Sequence, residues 1–192
     1  MRGVEQIPWI YDALCALCER GGFGRWRRWL VGGAHGRTLD VGCGTGRNLP
    51  LLPAGVRAIG LDPSPEALAR ARRRAPGIPL VRASAEALPF RDGSFETVLS
   101  GLVFCSVPDP ARGLAEVRRV LRRDGELRML EHVRSTIPWR ARVQDLLQPA
   151  WTRIAGGCHP NRATEATVRR AGFSLDDRRA QDSMRRFRAR PS

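Results

Sequence analysis

The segment Leu39-Asp40-Val41-Gly42-Cys43-Gly44-Thr45-Gly46 is where this sequence first offers chemistry. A short apolar run leads straight into three glycines at alternate positions. Such a bend turns sharply and lets a ligand reach the main chain without meeting a Cβ. Where a helix starts from it, the free amides attract an anion. The spacing is G-x-G-x-G, whereas dinucleotide sites use G-x-G-x-x-G. Asp62 follows Gly42 by twenty positions, at the end of a second apolar run. A carboxylate so placed accepts hydrogen bonds from both hydroxyls of a ribose. Ser84-Ala85-Glu86 then closes a third run. A ligand-free turn accounts for the glycines alone, but not for all three features in this order. Asp40 has a second reading, as a carboxylate that orients the bend by accepting from nearby amides.

The elements that position these residues follow from periodicity. Short apolar runs at 38–41, 56–61, 78–82, 95–100 and 126–131, ended by glycine or Asp-Pro, have the pattern of strands covered on both faces. Between them lie helix signals: Ser64-Pro65 ahead of Ala67, Leu68 and Ala71, and Asp109-Pro110 ahead of Leu114, Val117, Val120 and Leu121. Arg123-Asp124-Gly125 makes a tight exit from the second helix. Strand and helix alternate as in a parallel, doubly wound α/β sheet with right-handed crossovers. Residues 4–31 read as helical, interrupted at Gly21-Gly22.

Length, at 192 residues, suits one α/β domain with a real core and leaves no room for a second. All 33 basic residues are arginine, against 19 acidic ones, for a formal net charge of +14. That balance suits nucleic acid, an acidic membrane surface or an anionic substrate, and equally a genome-wide coding bias. The arginines are scattered and no aromatic ladder of the base-stacking kind accompanies them, which favours the coding bias. An odd cysteine count, with two cysteines inside apolar α/β segments, points to a reducing compartment and a cytoplasmic location. Cys15-x-x-Cys18 lacks the second pair that a zinc site needs and reads as packing on one helix face, so no metal is expected. No secretory signal or bilayer-length apolar stretch is found.

The glycine bend, Asp62 and the Ser84-Ala85-Glu86 loop together resemble the class I, Rossmann-like S-adenosylmethionine-dependent methyltransferases. The resemblance implies that the bend (Asp40, Gly42, Cys43, Gly44, Thr45, Gly46, with Asn48) faces the methionine part of the cofactor. By the same resemblance Asp62 and Pro63 hold the ribose, Ser84, Ala85 and Glu86 frame the adenine, and Ser100 and Gly101 complete the cofactor side. Position 84 is frequently aspartate in the family, so the serine withdraws that one contact. Residues 85–95 and 117–121 are similar to the common small-molecule branch. Residues 102–107, Glu131-His132-Val133, Gln148-Pro149-Ala150-Trp151, Gly156-Gly157-Cys158, Asn161-Arg162 and Ala171-Gly172-Phe173 are similar to the methyltransferase-like alkyl thiol S-methyltransferases. This implies an acceptor pocket with Tyr11, Val103, Cys105, Trp151 and Cys158, beneath a helical cap formed by residues 1–35, over a core domain of 36–180.

A sulfonium methyl is already activated, so a transferase need only align an electron-rich atom behind it and exclude water; positioning alone supplies up to about 7 to 11 kcal/mol. If the acceptor is a thiol, the thiolate reacts, and a base or positive charge helps to form it. His132 and His159 are the candidates for that help, each with an alternative as a hydrogen-bonded structural residue. Cys105, Cys158, Trp9, Trp139 and Trp151 either line the acceptor site or simply pack. The functional reading is a methyltransferase acting on a small molecule; a nucleic-acid methyltransferase and a non-catalytic cofactor-binding relative stand as alternatives. Two departures from the relatives are expected: the membrane-anchoring apolar helix of the animal thiol enzymes is missing, and the sheet edge is shortened. After Phe173-Ser174-Leu175 the chain turns arginine-rich, and 181–192 reads as a disordered tail.

Overall fold

A computed structural model describes residues 23–154 and 157–192. Tyr11, Trp9, Cys15, Cys18 and most of the expected cap lie outside the described residues. The first described helix, α1 (Gly24–Gly32), leads into β1 (Arg37–Val41), and a single 3-10 turn (Leu49–Leu51) separates the glycine bend from β2 (Arg57–Asp62). There follow α2 (Pro65–Arg74), β3 (Leu80–Arg82), β4 (Phe95–Gly101), α3 (Pro110–Val120), β5 (Leu121–His132), α4 (Pro138–Ile154), α5 (Thr164–Arg170), β6 (Phe173–Gln181) and β7 (Met184–Pro191). The strands form one sheet in the order β3-β2-β1-β4-β5-β7-β6. The first five are parallel; β7 runs antiparallel between β5 and β6.

The capping signals work as the residue types dictate. Ser64 Oγ accepts from the Ala67 amide at 3.1 Å, and Asp109 Oδ1 accepts from the Arg112 amide at 3.0 Å, each with proline at the first turn. The apolar faces of β1, β4 and β5 meet α3 and α5 on one side, around Leu39, Val98, Phe95, Leu114, Val117, Leu127 and Val168. On the other side Leu99 and Leu130 pack against Leu30, Val31 and Ala34 of α1 and its exit. Both faces of the sheet are therefore covered, which is why its central strands read as unbroken apolar runs. Strand β5 starts earlier than its apolar run: it reaches back to Leu121, with a register irregularity between Phe95 and Thr97 of β4 that absorbs the Arg-Arg-Asp-Gly segment.

The shortened edge and the disordered tail are both corrected: the sheet has its sixth strand and its antiparallel seventh. Arginine hid them. Along β7 the residues Arg185, Phe187 and Ala189 point into one buried face, an alternation of period two that arginines at the intervening positions conceal. Those arginines have partners. Arg186 stacks over Trp29 with its guanidinium 4.7 Å from the ring centroid. Arg188 makes a fork to Asp176, at 2.6 and 3.0 Å. On β5, buried Arg128 donates to the carbonyls of Leu30 (2.8 Å) and Trp29 (2.6 Å) at the C-terminal end of α1. A cation there satisfies carbonyls that the helix leaves unpaired and complements its dipole. Much of the positive charge thus belongs to the architecture.

Candidate cofactor and acceptor site

Strand β1 delivers Asp40 and Val41 to the carboxyl edge of the sheet, and the chain then bends through Gly42, Gly44 and Gly46, all with positive φ. The two outer glycines are needed for packing. A Cβ on Gly42 would stand 2.5 Å from Val103 Cγ2, and one on Gly46 would stand 2.9 Å from Ala71 Cα in α2. Gly44 is different: its φ is +54° and, chain neighbours aside, no atom of the described residues lies within 4 Å of where a Cβ would be. The bend therefore presents open main chain at Gly44, bounded by Asp62. Asp62 Oδ2 accepts from the Gly44 amide at 2.9 Å, and Oδ1 accepts from the Ser64 amide at 2.8 Å. Those two bonds fix the carboxylate in plane at the rim, with lone pairs left on both oxygens for a diol. Burial raises the Asp62 pKa, opposed by the two amides.

Under the bend lies a buried polar brace. Arg27 of α1 donates to Asn48 Oδ1 at 2.6 Å, and Asn48 Nδ2 donates to both oxygens of Asp40, at 3.0 and 3.2 Å. Asp40 is fully buried, and burial pushes its carboxyl up to about 7. The brace places Asp40 and Asn48 as supports of the glycine bend. Cys43 and Thr45 are likewise buried, with Thr45 Oγ1 accepting from Arg74 at 2.8 Å. On the third strand's loop, Ser84 Oγ donates to Glu86 Oε2 at 2.7 Å, while Glu86 Oε1 accepts from the Asp109 amide at 2.7 Å. Ser84 and Glu86 thus tie this loop to the start of α3. Pro63 is exposed beside Asp62, and Ala85 is buried in the core cluster.

Ser100 is fully buried, and its hydroxyl donates to Glu131 Oε1 at 2.9 Å. The same oxygen accepts from the amides of Val103 (3.2 Å) and Phe104 (3.1 Å). This gathering of amides holds Leu102 at φ +62°, a left-handed conformation that costs a leucine about 1 to 2 kcal/mol. Glu131 therefore shapes the chain leaving β4 past Gly101 and Val103, and sequence reasoning missed it in that role. Its Oε2 has no hydrogen-bond partner among the described residues. Burial pushes Glu131 from an ordinary 4.5 up to about 7. Between those values the native carboxyl keeps a proton that the unfolded chain releases, so stability is greatest below about 4.5 and falls as pH rises through about 7. Asp40 acts in the same sense. Glu131→Gln should leave the urea midpoint at pH 5 nearly unchanged and flatten its decline up to pH 8, by as much as about 1.4 kcal/mol per pH unit across the titration. Parallel wild-type and variant melts at five pH values measure this.

Farther along the same edge, His132 ends β5 and stands beside a groove of roughly 310 Å³. Trp139, Val143, Leu147 and Trp151 of α4 line it, and all four are exposed. Cys105 and Cys158 pack on each other behind it, both buried. His159 is tied into the neighbouring segments: its amide donates to the Cys105 carbonyl at 2.8 Å and its Nδ1 faces Gln148 Nε2 at 2.9 Å. Thus Val103, Cys105, Cys158, Trp151 and His132 share one end of the sheet with the glycine bend, while His159 serves as a tie between loops.

Comparison with known proteins accords with this geometry. Residues 39–129 match the family model described as a methyltransferase domain, a span that holds the glycine bend, Asp62 and the 84–86 loop. Human thiol S-methyltransferase TMT1B is 36% identical over 152 residues, covering 74% of this chain and 62% of that protein. Residues 39–129 therefore carry a methyltransferase domain. A second relative of this chain is the ubiquinone/menaquinone biosynthesis C-methyltransferase UbiE of Citrifermentans bemidjiense, 37% identical over 142 residues, 67% of this chain and 60% of that one. The chain spans about three fifths of the length of these curated relatives. Its fold matches a solved S-adenosylmethionine-dependent methyltransferase of Thermotoga maritima, described as a possible histamine N-methyltransferase. The TM-score is 0.69 at 22% identity, over 90% of this chain and 95% of that one. Among the described residues no helix is long and apolar enough to cross a membrane.

Proposed function

We propose that this methyltransferase moves the methyl group of S-adenosylmethionine to a small lipophilic acceptor, with an alkyl thiol as the favoured class. The observation that carries the reading is the open main chain at Gly44 set against the anchored Asp62 carboxylate, a cradle that fits a nucleoside bearing an amino-acid tail. Asp62 would take the ribose hydroxyls, the bend from Gly42 to Gly44 would take the methionine end, and residues 84–86 would border the adenine. When bound, the cofactor supplies an electrophilic methyl. The protein supplies alignment and exclusion of water, and no protein nucleophile is needed. The groove over α4 supports a lipophilic acceptor, because tryptophan and aliphatic side chains line it. The likeness to thiol S-methyltransferases supports a sulfur nucleophile. His132, at the inner wall of the groove, would take the thiol proton.

The complete seven-stranded sheet removes the ground for a non-catalytic relative. Arginines committed to internal carbonyls and carboxylates weaken the case for a nucleic-acid methyltransferase. The deciding experiment supplies the purified protein with methyl-labelled cofactor and a panel of alkyl thiols, amines, phenols, quinols and RNA. Label is expected on thiol sulfur; label on RNA, or on no acceptor, overturns the reading. With a thiol as acceptor, His132→Gln should lower turnover at pH 7 by about 10- to 100-fold. The deficit should close near pH 9.5, where a thiol of pKa about 8.5 ionises unaided.

A further inference from the structure

Behind the groove, three side chains from three separate elements converge on one point. Cys105 comes from the loop after β4, His132 from the end of β5, and Cys158 from the segment between α4 and α5. Cys105 and Cys158 form a cluster of their own, in direct contact and both nearly inaccessible to solvent. The contact is held from outside. The His159 amide donates to the Cys105 carbonyl at 2.8 Å, and Thr152 Oγ1 donates to the Cys158 carbonyl at 3.0 Å. Arg162 donates to the carbonyls of Phe104 and Val107, at 2.6 Å each, so the residues flanking both cysteines are tied together. The cysteines are free thiols, as is the buried Cys43 at the glycine bend. Cys43 packs against Gly60 on the far side of β1, and among the described residues no cysteine clusters with it.

We propose that Cys158 and Cys105 are a redox-active pair, in which Cys158 is oxidised by a hydroperoxide and Cys105 resolves it to a disulfide that joins the β4–α3 loop to the α4–α5 loop. The surroundings of the two sulfurs differ in a way that assigns the roles. Cys158 receives the Cys105 thiol as a donor and also contacts His132 and the Trp151 ring nitrogen; these hold its thiol well below the ordinary value, against the effect of burial. Cys105 is pushed the other way by its position as donor, by burial and by the charge of Glu131, and it shares a further contact with Ser106 Oγ at 3.6 Å. Cys158 is therefore the attacking thiolate, and the groove walled by His132 and Trp151 is the path for a molecule as small as a peroxide.

The chemistry balances in two steps. The Cys158 sulfur attacks one peroxide oxygen, the O–O bond breaks, and sulfenic acid and hydroxide (or alkoxide) form. The Cys105 sulfur then attacks the Cys158 sulfur, the S–O bond breaks, water leaves, and its proton comes from the Cys105 thiol by way of the neighbouring imidazole. Two thiols are oxidised and the peroxide is reduced to two waters, or to water and an alcohol.

The test uses the full chain, reduced and then freed of reductant. It is treated with a small excess of hydrogen peroxide, alkylated under denaturing conditions, and cut with trypsin. The expected product is a cross-linked species of the peptides 92–112 and 154–162, lighter than their sum by two hydrogens, with Cys43 recovered alkylated. In Cys105→Ser the sulfenic acid at Cys158 should persist and be captured by dimedone. In Cys158→Ser, Cys105 should remain a free thiol, and His132→Gln should slow wild-type cross-linking by about tenfold. Recovery of Cys105 and Cys158 as free thiols while the oxidant is consumed at Cys15, Cys18 or Cys43 overturns the proposal. So does oxidation of Cys105 at an undiminished rate in the Cys158→Ser variant.

Discussion

Asp62→Ala is expected to weaken S-adenosylmethionine binding by at least about 100-fold, measured by titration calorimetry. Two hydrogen bonds from ribose hydroxyls to one ionised carboxylate contribute about 1.5 to 3 kcal/mol each, and alanine removes both. The same substitution takes an acceptor from the amides of Gly44 and Ser64, which sit 2.9 and 2.8 Å from the carboxylate. Some stability is therefore lost with the affinity. Asp62→Asn separates the two effects, since its amide oxygen still accepts one backbone bond. Binding should be weakened in both variants, with chemical denaturation showing the smaller loss for asparagine. Undiminished cofactor affinity in Asp62→Ala, with a native melt, would remove Asp62 from the site.

The second large effect concerns stability. Gly46→Val should cost about 3 kcal/mol or more, from a left-handed backbone that β-branched residues resist and from a steric clash. The φ of Gly46 is +78°, and a Cβ there meets the Cα and Cβ of Ala71 at 2.9 Å. Ala71 lies within α2 and is fully buried, so the obstruction is backbone and cannot swing aside. Gly44→Ala makes the contrasting case. Its Cβ meets nothing within 4 Å among the described residues, so the conformational cost, about 1 to 2 kcal/mol, is what falls on folding. The main effect there should be on cofactor affinity, because the added methyl occupies the open side of the bend. Urea unfolding and calorimetry on the two variants give opposite rank orders if the glycines divide their roles in this way.

Local forces govern some parts of the site and long-range packing governs the rest. Gly44 and Asp62 were legible because each answers to a local rule: positive φ at a tight bend, and a carboxylate at a strand end. Their neighbours did not follow such rules. Ser100 looked like a cofactor contact but spends its hydroxyl on Glu131, and Ser84 spends its own on Glu86. Glu131, fully buried at the end of an apolar strand, draws in the amides of Val103 and Phe104 from about 28 residues upstream, a spacing no motif encodes. The last two strands were missed for a related reason. A run such as Arg185-Arg186-Phe187-Arg188-Ala189 reads as polar to a pattern that counts charges. In the fold its stems pack and its guanidiniums find Asp176, Trp29 and Trp26.

Residue order alone determined the alternation of strand and helix, the caps at Ser64 and Asp109, and the glycine bend with its carboxylate, because backbone sterics and nearest-neighbour hydrogen bonds act over a few positions. Tertiary structure decided what stands beside what. It set the antiparallel edge of arginine-bearing strands, the clamp by Glu131 on the chain leaving β4, and the meeting of Cys105, His132 and Cys158. Those pairings depend on desolvation and on groups far apart in the chain. Burial then decides which charges and thiols must find one another.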